Sequence, residues 1–145
     1  MKESCRFGAL FKQISLAFEG NLQDEAAKYD LTSSQARMLI YLDKADHAVN
    51  QRELELYYHL SNPTVTGLMK RMEGKGFITR EPNDEDGRSK NIILTAKAKE
   101  ISGELLSNLQ NREKCILQGL NEEEQQVLRN LLGRVLNGLM ICKEE

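Results

Sequence analysis

Around residue 75 the hydrophobic period of this chain changes, and that change constrains its fold more than any other feature. Before Gly74-Lys75-Gly76, apolar residues recur at every third or fourth position, as in amphipathic helices. After it, Phe77-Ile78-Thr79-Arg80-Glu81 and Lys90-Asn91-Ile92-Ile93-Leu94-Thr95 are β-like. Between them Pro82-Asn83-Asp84-Glu85-Asp86-Gly87-Arg88 is rich in turn formers, which predicts a hairpin with a charged tip. Helical patterning then resumes. The expected class is mainly α with one small β-hairpin.

The helices can be placed by their stripes and caps. About residues 4–29 form one long amphipathic helix carrying Phe7, Leu10, Phe11, Ile14, Ala17, Phe18 and Leu22. Thr32-Ser33-Ser34-Gln35 is a capping box that opens a second helix with a stripe of Ala36, Leu39, Ile40 and Leu42. Asn50-Gln51-Arg52-Glu53 reads as another box, opening a short helix that buries Leu54 and Tyr57 or Tyr58 and ends near Leu60. A fourth helix starts at Ser61 or Asn62, with Pro63 tolerated in its first turn, and closes at a left-handed glycine in Gly74-Lys75-Gly76. Thr95 caps the next helix, with Ala98, Ile101, Leu105, Leu106 and Leu109 as its stripe. Asn121-Glu122-Glu123-Glu124 opens the last, its acids suiting the positive helix end.

Two short helices leading at once into a hairpin form the winged helix-turn-helix arrangement, flanked here by long N- and C-terminal helices. Such a unit suits DNA, because an α-helix fits the major groove and a wing can place a cation in the minor groove. At about 100° per residue, Val65, Leu68, Met69 and Met72 of the fourth helix must face a core. The opposite face shows Pro63, Thr66, Gly67, Lys70 and Gly74, flanked by Thr64 and Arg71, with no acid. Small residues there let a backbone approach closely, and Thr, Lys and Arg donate to phosphates and bases. The formal net charge of −2 is no obstacle, since placement matters more than total. Between residues 61 and 80, Lys70, Arg71, Lys75 and Arg80 stand against Glu73. An ordinary packing helix or a surface ion pair between Asp86 and Arg88 would explain less of this pattern, because exposed pairs stabilise little.

The final helix is equally informative. Val127, Leu128, Leu131, Leu132, Val135, Leu136, Leu139 and Met140 make a stripe too broad for one neighbouring helix to cover. A winged domain of about 65 residues offers too little surface to bury it, so a partner chain is expected.

At this point a resemblance becomes specific. Leu31-Thr32-Ser33-Ser34-Gln35 with Leu39 and Leu42 resembles the second helix of the MarR (multiple antibiotic resistance regulator) family. The stretch Leu60-Ser61-Asn62-Pro63-Thr64-Val65-Thr66-Gly67-Leu68-Met69-Lys70-Arg71-Met72-Glu73-Gly74-Lys75-Gly76-Phe77-Ile78 is similar to that family's recognition helix and first wing strand. Asp86-Gly87-Arg88-Ser89-Lys90 with Leu94-Thr95 resembles its D-x-R wing signature. The resemblance implies a homodimer whose first and last helices intertwine on a pseudo-palindromic site in double-stranded DNA. It also implies repression relieved by a small aromatic or lipophilic effector, or by an oxidant.

The expected organisation is therefore a helical dimerisation region at 1–30 and 96–145 around a winged helix-turn-helix domain at 31–95. The candidate DNA contacts are Asn62, Pro63, Thr64, Thr66, Lys70, Arg71, Arg88 and Lys90, with Asp86 orienting the wing arginine. Phe18 and Tyr41 are candidates for an effector pocket between the dimer helices and the winged domain. The alternatives are a winged-helix protein-interaction module without DNA binding and a thiol-based redox-sensing regulator. Acidic or apolar residues on the recognition face would mark the first, and Lys70, Arg71 and Arg88 point the other way. The second would need a reactive cysteine among Cys5, Cys115 and Cys142, and Cys5 lies far from the nearest tyrosine, Tyr29.

Other classes are disfavoured. There is no Walker, nucleophile-elbow, dinucleotide or HExxH motif, and His47 and His59 are isolated, so an enzyme is not expected. The cysteines are odd in number and lack a C-x-x-C pair, which disfavours zinc and thioredoxin-like chemistry, and no cofactor is expected. No apolar run approaches the roughly 18 residues of a membrane span. No signal peptide is visible, so a cytoplasmic location is expected.

Overall fold

The computed structural model describes residues 6–83 and 90–142, the side chain of Met140 excepted. Its elements are α1 (Phe7–Ala27), α2 (Ser33–Lys44), β1 (Val49–Asn50), α3 (Gln51–Tyr58), α4 (Asn62–Gly74), β2 (Ile78–Pro82), β3 (Lys90–Leu94), α5 (Ala96–Leu117) and α6 (Glu122–Ile141). Two compact units, Met1–Asn108 and Leu109–Glu145, divide within α5.

Local chemistry accounts for most boundaries. Thr32 Oγ1 accepts from the Gln35 N–H at 3.2 Å while Gln35 Oε1 accepts from the Thr32 N–H at 3.0 Å, a complete capping box. The same reciprocal pair joins Asn121 and Glu124, both at 2.9 Å. At α3 only half of the expected box forms. Asn50 Oδ1 accepts from the Glu53 N–H at 3.0 Å, but the Glu53 carboxylate accepts instead from Tyr41 Oη at 2.5 Å and faces His47 Nε2 at 2.8 Å. Ser61 caps α4, and Pro63 sits in its first turn.

The end of α4 explains the change of period. Gly76 adopts φ +78°, the Gly76 N–H bonds the Glu73 carbonyl at 3.0 Å and the Phe77 N–H bonds the Met72 carbonyl at 2.9 Å. This is a Schellman motif, which satisfies the last carbonyls and turns the chain into β2. Thr95 ties the far end of the hairpin back, its hydroxyl donating to the Gly76 carbonyl at 2.8 Å and accepting from the Ala98 N–H at 3.3 Å as the cap of α5.

The hairpin is part of a three-stranded antiparallel sheet in the order β1-β3-β2. Ile78 pairs Leu94, Arg80 pairs Ile92 and Pro82 pairs Lys90. β1 adds Val49 opposite Ile92 and Asn50 opposite Asn91, a strand the sequence did not reveal because two residues carry no period. The hairpin tip, with Asp86 and Arg88, and also Cys5, lies outside the described residues.

Within Met1–Asn108 the core is continuous. Val65, Leu68, Met69 and Met72 of α4 are all buried, as the helical spacing predicts. They share the interior with Met38 and Leu39 of α2, Leu54 of α3, Ile78, Ile92 and Leu94 of the sheet, and Ile101 and Leu105 of α5. Each such side chain stabilises the fold by roughly 1.5–3 kcal/mol. The stripe of α2 is shifted from expectation: Met38 and Gln35 are buried, while Ile40 and Leu42 are half-buried. Neither tyrosine at the end of α3 is fully buried, Tyr57 being 59% exposed. They pack instead against Tyr41, with ring centroids 4.3 Å (Tyr57) and 6.0 Å (Tyr58) away.

Two apolar stripes are exposed among the described residues. On α1, Leu22 and Ala26 are buried but Phe7, Phe11 and Ile14 are exposed. On α6, Val127, Leu131, Leu132, Val135, Leu136 and Leu139 are all exposed. No described helix is long and apolar enough to cross a membrane.

Candidate nucleic-acid interface

The short α3, the turn at His59 and Leu60, and α4 make a helix-turn-helix, with β2 and β3 beside it as the wing. The turn is tight because His59 takes a left-handed conformation (φ 52°), and the Leu60 N–H then reaches back to the Glu55 carbonyl at 3.1 Å. With the apolar side of α4 committed to the core, Asn62, Pro63, Thr64, Lys70 and Arg71 are exposed. Thr66 and Gly67 are half-buried. A Cβ placed on Gly67 would meet only Arg71 Nη2, at 3.9 Å, so the fold has room for alanine there. One placed on Gly74 would meet nothing within 4 Å.

The cations of this region divide into two kinds. Arg80 donates from Nε to Glu73 at 2.9 Å, and Lys75 lies 3.4 Å from the Asp30 carboxylate and bonds the Asp30 carbonyl. Those pairs consume two of the four positive charges that the sequence places in this stretch. Lys70 and Arg71 make no ion pair among the described residues, so their charges remain available to a ligand. Lys90, exposed at the start of β3, lines a polar cleft of about 540 Å³ together with Gln51, Arg52, Glu55, Asn62, Arg80 and Ile92.

One acid under this surface escaped the sequence reading. Glu55, 6% exposed, accepts from Asn62 Nδ2 at 2.6 Å, Arg52 Nη1 at 3.1 Å and Gln51 Nε2 at 3.3 Å. Burial pushes its carboxyl up, but the bonds from Asn62, Arg52 and Gln51 together outweigh it and hold the group below the usual carboxylate range. Gln51 Nε2 also donates to Thr66 Oγ1 at 2.8 Å. No sequence signal could have marked Glu55, because it reads as one more acid on a polar helix.

The two effector candidates make no ring contact with each other among the described residues. Tyr41 belongs to the tyrosine cluster with Tyr57 and Tyr58, and its hydroxyl pKa is pushed up to about 12 by the Glu53 hydrogen bond and then by burial. Phe18 is half-buried on α1. Beside Tyr41, His47 is raised above its ordinary value by hydrogen bonds to Asp46 and Glu53. Cys115 and Cys142 are exposed free thiols. No group of three or more His, Cys, Asp or Glu side chains among the described residues could hold a metal.

Comparison with known proteins gives one consistent answer. The model of the MarR family matches residues 29–89, from just after α1 to the residue before β3. The HTH-type transcriptional regulator PecS of Dickeya dadantii is 30% identical over 85% of this chain and 75% of its own. The crystal structure of the transcription regulator MarR from Oenococcus oeni superimposes with a TM-score of 0.76 at 32% identity, covering 91% of this chain and 99% of that one. A crystal structure of the S. aureus MepR–DNA complex gives a TM-score of 0.82 at 25% identity, over 92% of this chain and 98% of the other. With this likeness, and with six helices, a three-stranded antiparallel sheet and a helix-turn-helix running directly into the wing among the described residues, this chain belongs to the MarR family of winged-helix regulators.

Proposed function

We propose that this protein is a sequence-specific regulator of transcription that binds double-stranded DNA through α4 and the β2–β3 wing. It acts as a repressor on a pseudo-palindromic operator, as a homodimer, and is relieved by a small aromatic or lipophilic effector. It is a binder and not a catalyst.

The observation that carries the reading is the exposed face of α4. Asn62, Pro63, Thr64, Lys70 and Arg71 lie outward, two glycines thin the helix, and none of these positions is acidic. The N-terminal residues Asn62, Pro63, Thr64 and Thr66 are placed to read base edges, while Lys70 and Arg71 neutralise phosphates. Lys90 and Arg88 hold the wing to the minor groove, and Asp86 orients Arg88. The uncovered stripes of α1 and α6 support the homodimer, since exposed apolar rows of this length mark interfaces. The helices of 1–30 and 96–145 serve that assembly, and 31–95 serves DNA. An effector pocket around Phe18, Tyr41 and α3 is part of the same proposal and is tested by thermal shift with aromatic acids.

The deciding experiment is a titration of the protein with genomic fragments and with one unrelated duplex at several salt concentrations. Tight binding of particular fragments, with affinity falling as salt rises, is expected. Arg88→Ala lowers the salt slope by about one unit per half-site. Equal, weak affinity for every fragment would turn the reading towards a protein-interaction winged helix.

A further inference from the structure

Among the described residues Glu55 is the only charged side chain that is buried, and it lies beneath the surface proposed to meet phosphates. Its charge works against the approach of DNA, yet three side chains donate to it. An ionised carboxylate can only accept hydrogen bonds, whereas a side-chain amide can turn either end towards a partner. Glu55 therefore forces the orientation of the two amides beside it. Asn62 must present Nδ2 inward, at 2.6 Å, which leaves its Oδ1 outward as an acceptor. Gln51 must also turn Nε2 towards the carboxylate, at 3.3 Å, and that same nitrogen donates to Thr66 Oγ1 at 2.8 Å. Thr66 Oγ1, accepting from Gln51 through one lone pair, keeps its hydroxyl proton to donate and is biased towards the donor role. Arg52 Nη1, at 3.1 Å, anchors the other carboxylate oxygen so that the hub cannot rotate.

We infer that Glu55 is a positioning residue that sets the hydrogen-bond polarity of Asn62 and Thr66, and through them the base pairs that α4 accepts. The inference rests on the reading of α4 as the DNA-facing helix. On this account Glu55 governs discrimination between sequences and contributes little to the phosphate contacts that hold any duplex.

The test uses the full-length protein and a pool of random duplexes. The wild type selects a preferred site, and every single-base-pair variant of that site is then titrated with wild type and with Glu55→Gln. The glutamine keeps the shape but can offer Asn62 either a donor or an acceptor. Discrimination at the pairs opposite Asn62 and Thr66 is expected to fall on the order of tenfold. Affinity for random duplex, its salt slope and the thermal midpoint stay near wild type. Gln51→Met removes the Gln51 bonds to both Glu55 and Thr66 but leaves the Asn62–Glu55 bond, so it relaxes the Thr66 position and spares that of Asn62. In a Thr66→Val background, Glu55→Gln adds nothing further at the Thr66 position. If Glu55→Gln fails to fold, the Gln51→Met profile decides. Unchanged base preference in Glu55→Gln, or in Gln51→Met where only that variant folds, overturns the role of Glu55. So does an equal loss on preferred and random duplexes. A wild-type protein that selects no sequence at all overturns instead the reading of the interface itself, and this inference with it.

Discussion

α4 and α6 are built on the same amphipathic principle and end differently. The four apolar side chains that α4 turns to one side, Val65, Leu68, Met69 and Met72, are at most 7% exposed within the chain itself. On α6, Leu132 is 44% exposed, Leu136 60% and Leu139 57%. The α4 stripe is narrow enough for α2, α3 and the sheet to cover. The α6 stripe falls on both i and i+1 of successive turns and is exposed among the described residues. One helix completes its burial within its own unit and the other is proposed to complete it with a second chain, so the two should respond differently to dilution and to substitution.

The largest break in that contrast comes from charging α6. Leu132→Lys with Leu136→Lys should convert the proposed dimer to monomer or leave the chain insoluble, as read by sedimentation velocity. A wild-type chain that sediments as a monomer at micromolar concentration would remove the contrast altogether. Met72→Ala should cost about 2–5 kcal/mol in denaturant unfolding through the cavity it leaves. Its effect on the unfolding free energy should be the same at every protein concentration, whereas wild-type stability itself should rise with concentration if α6 is completed by a partner.

Gly67→Ala sharpens the comparison from the other side of α4. The structure has room for the methyl group, so helix propensity should make the fold more stable by about 0.5–1 kcal/mol. If DNA passes close to this face, affinity for it should fall by roughly 1–3 kcal/mol at the same time. Greater stability with unchanged DNA affinity would mean that α4 does not approach DNA along Gly67.

The smallest effect is expected at His47. Its raised pKa, caused by Asp46 and then Glu53, means that the folded state favours the protonated ring. That stabilisation is complete below the ordinary histidine value of 6.5 and is lost as pH rises through the higher folded value. His47→Gln should therefore differ from wild type in thermal midpoint at about pH 5.5 and match it at about pH 8.5. The difference should be small, because the ring is solvated.

Much of this was legible because it is local. The boxes at Thr32 and Asn121, the proline in the first turn of α4 and the glycine at its end are patterns spanning a few residues, and all formed as read. The box at Asn50 formed only in part, because Glu53 found stronger partners in Tyr41 and His47, 12 and 6 residues away in sequence. Tyr58 is only half-buried and Tyr57 is exposed, because both rings pack tilted or edge-on against Tyr41. Among the site residues, the exposure of Asn62, Pro63, Thr64, Lys70 and Arg71 followed from helical spacing. The half-buried position of Thr66 did not.

What the sequence by itself determined is whatever depends on spacings of two, three and four: helix ends, the face of α4, the hairpin and the over-wide stripe of α6. Those features repeat along the chain within the reach of one turn or one pleat. Tertiary structure alone decided that Val49 meets Ile92 to make a third strand. It also decided that Lys75 and Arg80 are locally paired while Lys70 and Arg71 are left to a ligand. The hub at Glu55 belongs here as well, because Gln51 and Thr66 lie 15 residues apart and meet only when α3 folds against α4. Hydrogen bonds of that kind depend on where the core sets the helices, and no local pattern records it.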